Sequence, residues 1–129
     1  MSTQPPVIGK DVLGRVIRDF SKIPWWGIPR EQIPWYPRID YGKCVRCGLC
    51  FLTCSGRVVY DWDFRENKPV VARPYNCMVG CNTCANLCPA GAISFPSLEE
   101  LRRWRDQAQA VAKARKRIEE LRRKVLSGE

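Results

Sequence analysis

The chain has 129 residues, with 22 lysines and arginines against 13 aspartates and glutamates, and no histidine. That length is one domain's worth of polypeptide. The missing imidazoles exclude Cys/His zinc fingers, haem or Rieske ligation through histidine, and the usual general base near neutral pH.

The opening MSTQPPVIGKDVLG lacks the apolar run and small-residue cleavage site of a secretory leader. The sequence therefore predicts a soluble cytoplasmic protein with reduced thiols rather than a disulfide scaffold. No stretch approaches the length of a transmembrane helix. From Asp11 onward, Val12, Leu13, Val16, Ile17 and Phe20 recur at helical spacing, with Lys10, Arg15, Arg18 and Lys22 elsewhere on the wheel. This predicts a short amphipathic helix capped by Asp11 and ended by Pro24. Such a stripe packs on its own domain or a partner more often than on a membrane surface.

Residues 24–37, PWWGIPREQIPWYP, carry four prolines and three tryptophans, which rules out a helix or an inner strand and predicts an extended arm. Trp25, Trp26 and Trp35 either strap the neighbouring domain and enlarge its core or dock a partner protein. The sequence supports the two readings equally. Residues 1–37 are thus an N-terminal extension.

The middle segment, 38–96, holds all eight cysteines. Arg38–Tyr41 predicts a short strand, and RVVYDWDF and KPVVARP a hairpin turning near Arg65–Lys68. Ala92–Phe95 predicts a further strand, placed beside Arg38–Asp40 if two halves are related by a pseudo-twofold. The last third, 97–129, starts with a capping box at Ser97 and Glu100 and then lacks proline and glycine from Leu98 to Ser127. One helix of about thirty residues, or two helical pieces, follows from that. Trp104, Val111, Ala114, Ile118, Leu121 and Val125 form its seam, and its distal half is expected to touch another chain. Ten basic side chains lie around it, among them Arg102, Arg115, Lys116 and Arg122, interleaved with six acidic ones. A solvated helix face is the favoured reading over a nucleic-acid surface.

The cysteines fall in two runs: Cys44, Cys47, Cys50 and Cys54 as C-x2-C-x2-C-x3-C, and Cys77, Cys81, Cys84 and Cys88 as C-x3-C-x2-C-x3-C before Pro89. Structural zinc sites use two ligand pairs a dozen or more residues apart, so three cysteines within seven or eight positions point to iron–sulfur cores instead. Cys77–Cys84 also has the spacing of a radical-SAM triad, but Cys54 is at hand as a fourth ligand and the chain is too short for the barrel of those enzymes.

GKCVRCGLCFLTC and NCMVGCNTCANLCPAGAISF resemble the bacterial-type dicluster ferredoxins over residues 44–95, under half of the chain. The resemblance implies an α+β ferredoxin-like domain of small βα repeats and low-potential one-electron transfer through two 4Fe–4S clusters, with no substrate site. It also implies crossed ligation. One cluster takes Cys44, Cys47, Cys50 and Cys88; the other takes Cys77, Cys81, Cys84 and Cys54. Two thiolate-bound cores would add about −4 to the formal +9.

The chain departs from the pattern twice. Ser55 stands where the family has a proline, and three residues rather than two precede Cys81, with Gly80 expected to absorb the extra one in a bulged turn. Unequal cluster potentials follow, with a 3Fe–4S centre a minor possibility at the second site. The arm and the helix over 98–126 favour an electron-wire subunit or dedicated ferredoxin docked on a larger redox enzyme. A freely diffusing carrier is the alternative. Peripheral membrane contact stays open, and no nucleic acid is expected.

Overall fold

A computed structural model describes residues 4–128. Four strands come from the middle segment: β3 (Arg38–Ile39), β4 (Tyr60–Asp63), β5 (Lys68–Val71) and β6 (Ile93–Ser94), preceded by β1 (Val7–Lys10) and β2 (Val16–Arg18). The helices are α1 (Leu49–Thr53), α2 (Thr83–Leu87), α3 (Leu98–Gln107) and α4 (Ala110–Leu126). Among the described residues every strand pairing is a two-stranded antiparallel ladder, β1–β2, β3–β6 or β4–β5, so the architecture is α+β.

The middle segment folds as its sequence predicts. Arg38 lies opposite Ser94 and Ile39 opposite Ile93, which joins the two ends of the cysteine region. In the hairpin, Tyr60 faces Val71 and Asp63 faces Lys68. Asp63 Oδ1 accepts from the N–H groups of Arg65 and Glu66 at 3.0 and 3.1 Å, an aspartate turn that fixes the register. Ile33, Trp35, Phe51, Val59, Tyr60 and Ile93 form the core together with Cys50 and Cys77. Two ligand candidates are thus part of the apolar centre.

The N-terminal helix expected from Asp11 is not formed; residues 7–18 are the β1–β2 hairpin. Helical spacing of the apolar residues was coincidental with a stronger local signal. Asp11 Oδ1 accepts from the N–H of Leu13 (3.0 Å) and Arg15 (2.8 Å), and Gly14 sits at φ +80°, which an L side chain rarely adopts. That turn is flanked by β-branched Val7, Ile8, Val16 and Ile17, which prefer strands. Arg15 ties the hairpin down: it pairs with Asp11 at 2.6 Å, donates to the Phe51 carbonyl at 3.0 Å and lies over the Phe51 ring.

The arm straps the cysteine region. Trp35 is 5% exposed and stacks on Phe95 at 5.3 Å, so it is core and not a docking residue, contrary to one of the two expectations for it. Trp25 is half-buried, and Trp26 is exposed at a tight turn with Gly27.

At the C-terminus, Ser97 Oγ caps α3 by accepting from Glu100 N–H at 3.1 Å, while the Glu100 carboxylate accepts from Trp104 Nε1 instead of closing the box. The expected long helix is two pieces. Gln109, at φ +54°, breaks it, and Lys113 then reaches the Trp26 carbonyl at 2.6 Å. Beyond Ala114, α4 is exposed throughout the described residues. No described helix is long and apolar enough to cross a membrane.

Candidate metal centre

The eight thiols are free of disulfides and ring two cavities. The larger, about 280 Å³, is lined by Cys54, Cys77, Cys81 and Cys84. The smaller, about 20 Å³, is lined by Cys44, Cys47, Cys50 and Cys88. Each quartet therefore takes three cysteines from one run and the last cysteine of the other.

Local backbone explains the exchange. Cys50 lies in α1 and Cys84 in α2, and each helix is a single turn that stops at the fourth cysteine. The Cys54 N–H closes on the Cys50 carbonyl at 3.2 Å and the Cys88 N–H on the Cys84 carbonyl at 3.0 Å. Both cysteines then leave helical geometry, Cys54 at φ −78°, ψ 65° and Cys88 at φ −66°, ψ 116°. A continued helix would carry each one along the same face as its neighbour at i−4; the break turns it toward the other half. Because α1 packs against α2, that turn is short. Gly80 takes φ +93° and the Cys81 N–H bonds the Met78 carbonyl at 2.9 Å, so the additional residue sits in the bulged turn predicted for it.

Electrostatics differ among the sulfurs. Burial, reinforced by the nearby Cys81 and Cys84 thiols, pushes Cys77 up to about 12, and burial pushes Cys50 up to about 11. Burial also raises Cys84. Burial opposes ionisation of Cys88 too, but N–H groups of Ala92, Ala90, Gly91 and Ile93 outweigh it and hold that thiol below its usual value. The Ala92 N–H lies 3.4 Å from Cys88 Sγ. Stable thiolates at the buried positions therefore call for a cationic core to offset desolvation and mutual repulsion.

No group of three or more His, Cys, Asp or Glu among the described residues is gathered tightly enough to hold a single metal ion. The sulfurs line spaces instead, four soft donors apiece, a ligand chemistry that suits an iron–sulfur core. Val45–Gly48, in the wall of the smaller space, is largely exposed.

Several residues at this site carry no signal in the cysteine spacing. Tyr60 donates its hydroxyl to Cys84 Sγ at 3.2 Å. Trp35 Nε1 donates to the Cys81 carbonyl at 3.0 Å, and Arg30 donates to the Cys77 carbonyl at 2.8 Å. The arm thus grips the second cysteine loop at both ends. Asn76, 2% exposed, joins this loop to the N-terminal segment: its Oδ1 accepts from Phe20 N–H, and its Nδ2 donates to the carbonyls of Arg18 and Arg57. A pairing of the RVVYDWDF and KPVVARP segments was readable from their β-rich composition around a polar turn, but a buried arginine in a proline-rich arm has no such signature.

No protein-family model matches the chain. It is similar to an uncharacterized ferredoxin of Methanocaldococcus jannaschii, 44% identical over 72 residues that are 55% of this chain and 47% of the relative. It is similar to Ferredoxin-3 of Nostoc sp., 32% identical over 84 residues covering 50% of this chain and 86% of that protein. A third likeness is to the NAD-dependent dihydropyrimidine dehydrogenase subunit PreA of Escherichia coli (strain K12), 38% identical over 62 residues, 46% of this chain but 15% of that subunit. The chain therefore spans about half the length of the first of these relatives and a small part of the last.

Proposed function

The chain belongs to the ferredoxins, and from that premise we propose that it carries electrons through two 4Fe–4S clusters as a subunit or dedicated carrier of a larger oxidoreductase. The observation that carries this reading is the sorting of eight thiols into two quartets, each completed by the last cysteine of the opposite run. Cys44, Cys47, Cys50 and Cys88 hold one cluster, and Cys54, Cys77, Cys81 and Cys84 the other.

A bound iron–sulfur core supplies one-electron storage with little rearrangement. The protein supplies the rest. Its cysteines fix two cores across the α1–α2 contact, and the exchanged ligands prevent the halves from separating. Phe51, Val59, Tyr60 and Ile93 exclude water from the inner faces. Cys47 and Cys81 lie at exposed rims, the places where an electron enters or leaves. All four sulfurs of each set are committed, so no open iron position is left for a substrate, and the protein is a carrier rather than a catalyst.

Docking on a partner is supported by apolar surface that the chain leaves bare. Ile118 is 62% exposed and Val125 71%, on the seam of α4, and Val12 is 70% exposed at the hairpin tip. The NAD-dependent subunit among the relatives carries its similar stretch inside a longer chain, which supports the same reading.

Ligation is tested by cysteine-to-serine variants read by EPR. Cys47→Ser and Cys88→Ser should perturb one signal, and Cys81→Ser and Cys54→Ser the other. Perturbation of a single signal by Cys47→Ser and Cys54→Ser would show uncrossed sites and overturn the assignment. Recovery with a redox enzyme at high salt supports a docked subunit; isolation as a lone monomer contradicts it.

A further inference from the structure

Arg30 is 4% exposed, its guanidinium lies 5.6 Å over the Tyr75 ring, and the acceptors of its N–H groups are carbonyl oxygens. Nη1 donates to Ile33 at 2.7 Å, Nη2 to Cys77 at 2.8 Å and to Trp35, and Nε to Cys77 at 3.3 Å. No ion pair among the described residues includes it. A second arginine approaches the same site. Arg57 lines the larger cavity, lies 4.0 Å over the Phe20 ring, donates to the Asn76 carbonyl at 3.5 Å and is likewise outside the described ion pairs. An arginine stays protonated in a protein, and a buried cation without an opposite charge is strongly disfavoured. Something anionic is missing from the inventory of side chains.

The two cavities differ in this respect. Beside Cys54, Cys77, Cys81 and Cys84 stand Arg57, the Arg30 fork on the Cys77 carbonyl, and the Tyr60 hydroxyl on Cys84 Sγ. Around Cys44, Cys47, Cys50 and Cys88 the walls are Ile39, Val45, Leu49, Pro69 and Ala92, with the exposed Arg46 the one cation among the lining residues. Four thiolates and an iron–sulfur core carry a net charge of roughly −2 when oxidised. Such a group is the counter-charge that Arg30 and Arg57 lack.

We propose that Arg30 and Arg57 are the fixed counter-charge of the cluster held by Cys54, Cys77, Cys81 and Cys84, and that they set it at a higher reduction potential than its neighbour. The inference rests on the two-cluster reading above. Reduction adds one electron from a one-electron donor and takes the site's charge from roughly −2 to roughly −3, with no bond made or broken and no proton moved. Nearby cations stabilise the more negative state, and so does a hydrogen bond to a ligand sulfur. Arg30 comes from the proline-rich arm, ahead of both cysteine runs, so the arm acts on the electrons as well as on the core. An electron arriving at the Cys44–Cys50 end is drawn toward the arginine-flanked site.

The test is potentiometric titration of the full-length, anaerobically purified holoprotein, followed by EPR, with Cys81→Ser marking the signal of the arginine-flanked cluster. Arg30→Met strands three buried carbonyls and disturbs folding, so Arg57→Gln and Arg57→Lys carry the comparison, with Arg30→Lys as a second pair of eyes on the buried position. Arg57→Gln is expected to disfavour reduction of the marked cluster about tenfold, about 59 mV for a one-electron couple, and to leave the other cluster in place. Arg57→Lys and Arg30→Lys, which keep the charge, are expected to stay near the wild-type potential. Equal shifts in both clusters, no shift in Arg57→Gln, or a shift in Arg57→Lys as large as in Arg57→Gln would overturn the inference while leaving the carrier reading intact. Wild-type protein without two reducible clusters overturns the carrier reading itself.

Discussion

Tyr60 is 1% exposed, and its hydroxyl has Cys84 Sγ as its partner at 3.2 Å. Burial and that sulfur push the phenol well above its ordinary value, so it is a permanent donor over the whole working range of pH. Tyr60→Phe removes one O–H···S bond and little packing. Its expected effects are a lower potential for the cluster on Cys84 and a stability loss of about 1 kcal/mol, read by potentiometry and by denaturation of the holoprotein. An unchanged potential with full iron content contradicts the assigned role. The thiols make a second prediction. With burial holding Cys77 up to about 12 and Cys50 up to about 11, against an ordinary 9.0, the folded cluster-free site retains its protons at neutral pH. Cluster assembly must expel them, so protons compete with iron. Reconstitution with ferrous iron and sulfide should therefore slow as pH falls from about 8 to about 6, as followed by visible absorbance; a rate that rises toward acid contradicts this. Cys88 needs no such help, because its N–H donors already favour the thiolate.

At the scale of elements, the second cysteine loop depends on a left-handed glycine. Gly80→Ala leaves room for the methyl group, since its nearest neighbour would be Leu101 Cδ2 at 3.6 Å, but not for the backbone at φ +93°. The cost should be about 1–2 kcal/mol, seen as a lower denaturation midpoint and loss of the Cys54/Cys77/Cys81/Cys84 signal first. Helix α4 behaves oppositely. It is exposed past Ala114, so truncation after Arg115 should leave iron content and both EPR signals unchanged while abolishing recovery with a redox partner. Loss of iron in that truncation would mean that the helix serves the cluster domain. The hairpin β4–β5 was legible because two β-rich segments flank a polar turn, and the Asp63 turn of the structure agrees with it. Residues 11–20 misled because Val12, Leu13, Val16, Ile17 and Phe20 satisfy a 3.6-residue period, while β-branching and the Asp11–Gly14 turn decide the structure. The break at Gln109 has no proline or glycine to announce it; it follows from Lys113 reaching Trp26 and from burial of Ala108 and Ala110.

For the molecule as a whole, cysteine spacing pointed to the candidate site before any fold was known, and the structure gathers the eight thiols around two cavities. What surrounds the site was not legible, because Arg30, Tyr60 and Trp35 reach cysteine sulfurs or carbonyls from positions up to 47 residues away in sequence, and Arg57, which lines the larger cavity, donates to the Asn76 carbonyl. Cys50 and Cys77 also belong to the hydrophobic core, so under the proposed ligation holding the metal and holding the fold are one task. The measurement that tests this most directly is iron and acid-labile sulfide content together with EPR of the reduced, anaerobically purified protein. About eight irons and about eight sulfides per chain, with the spin-coupled signal of two neighbouring reduced cubanes, are the expected result. Two zinc ions per chain, no visible absorbance and no EPR signal would contradict it.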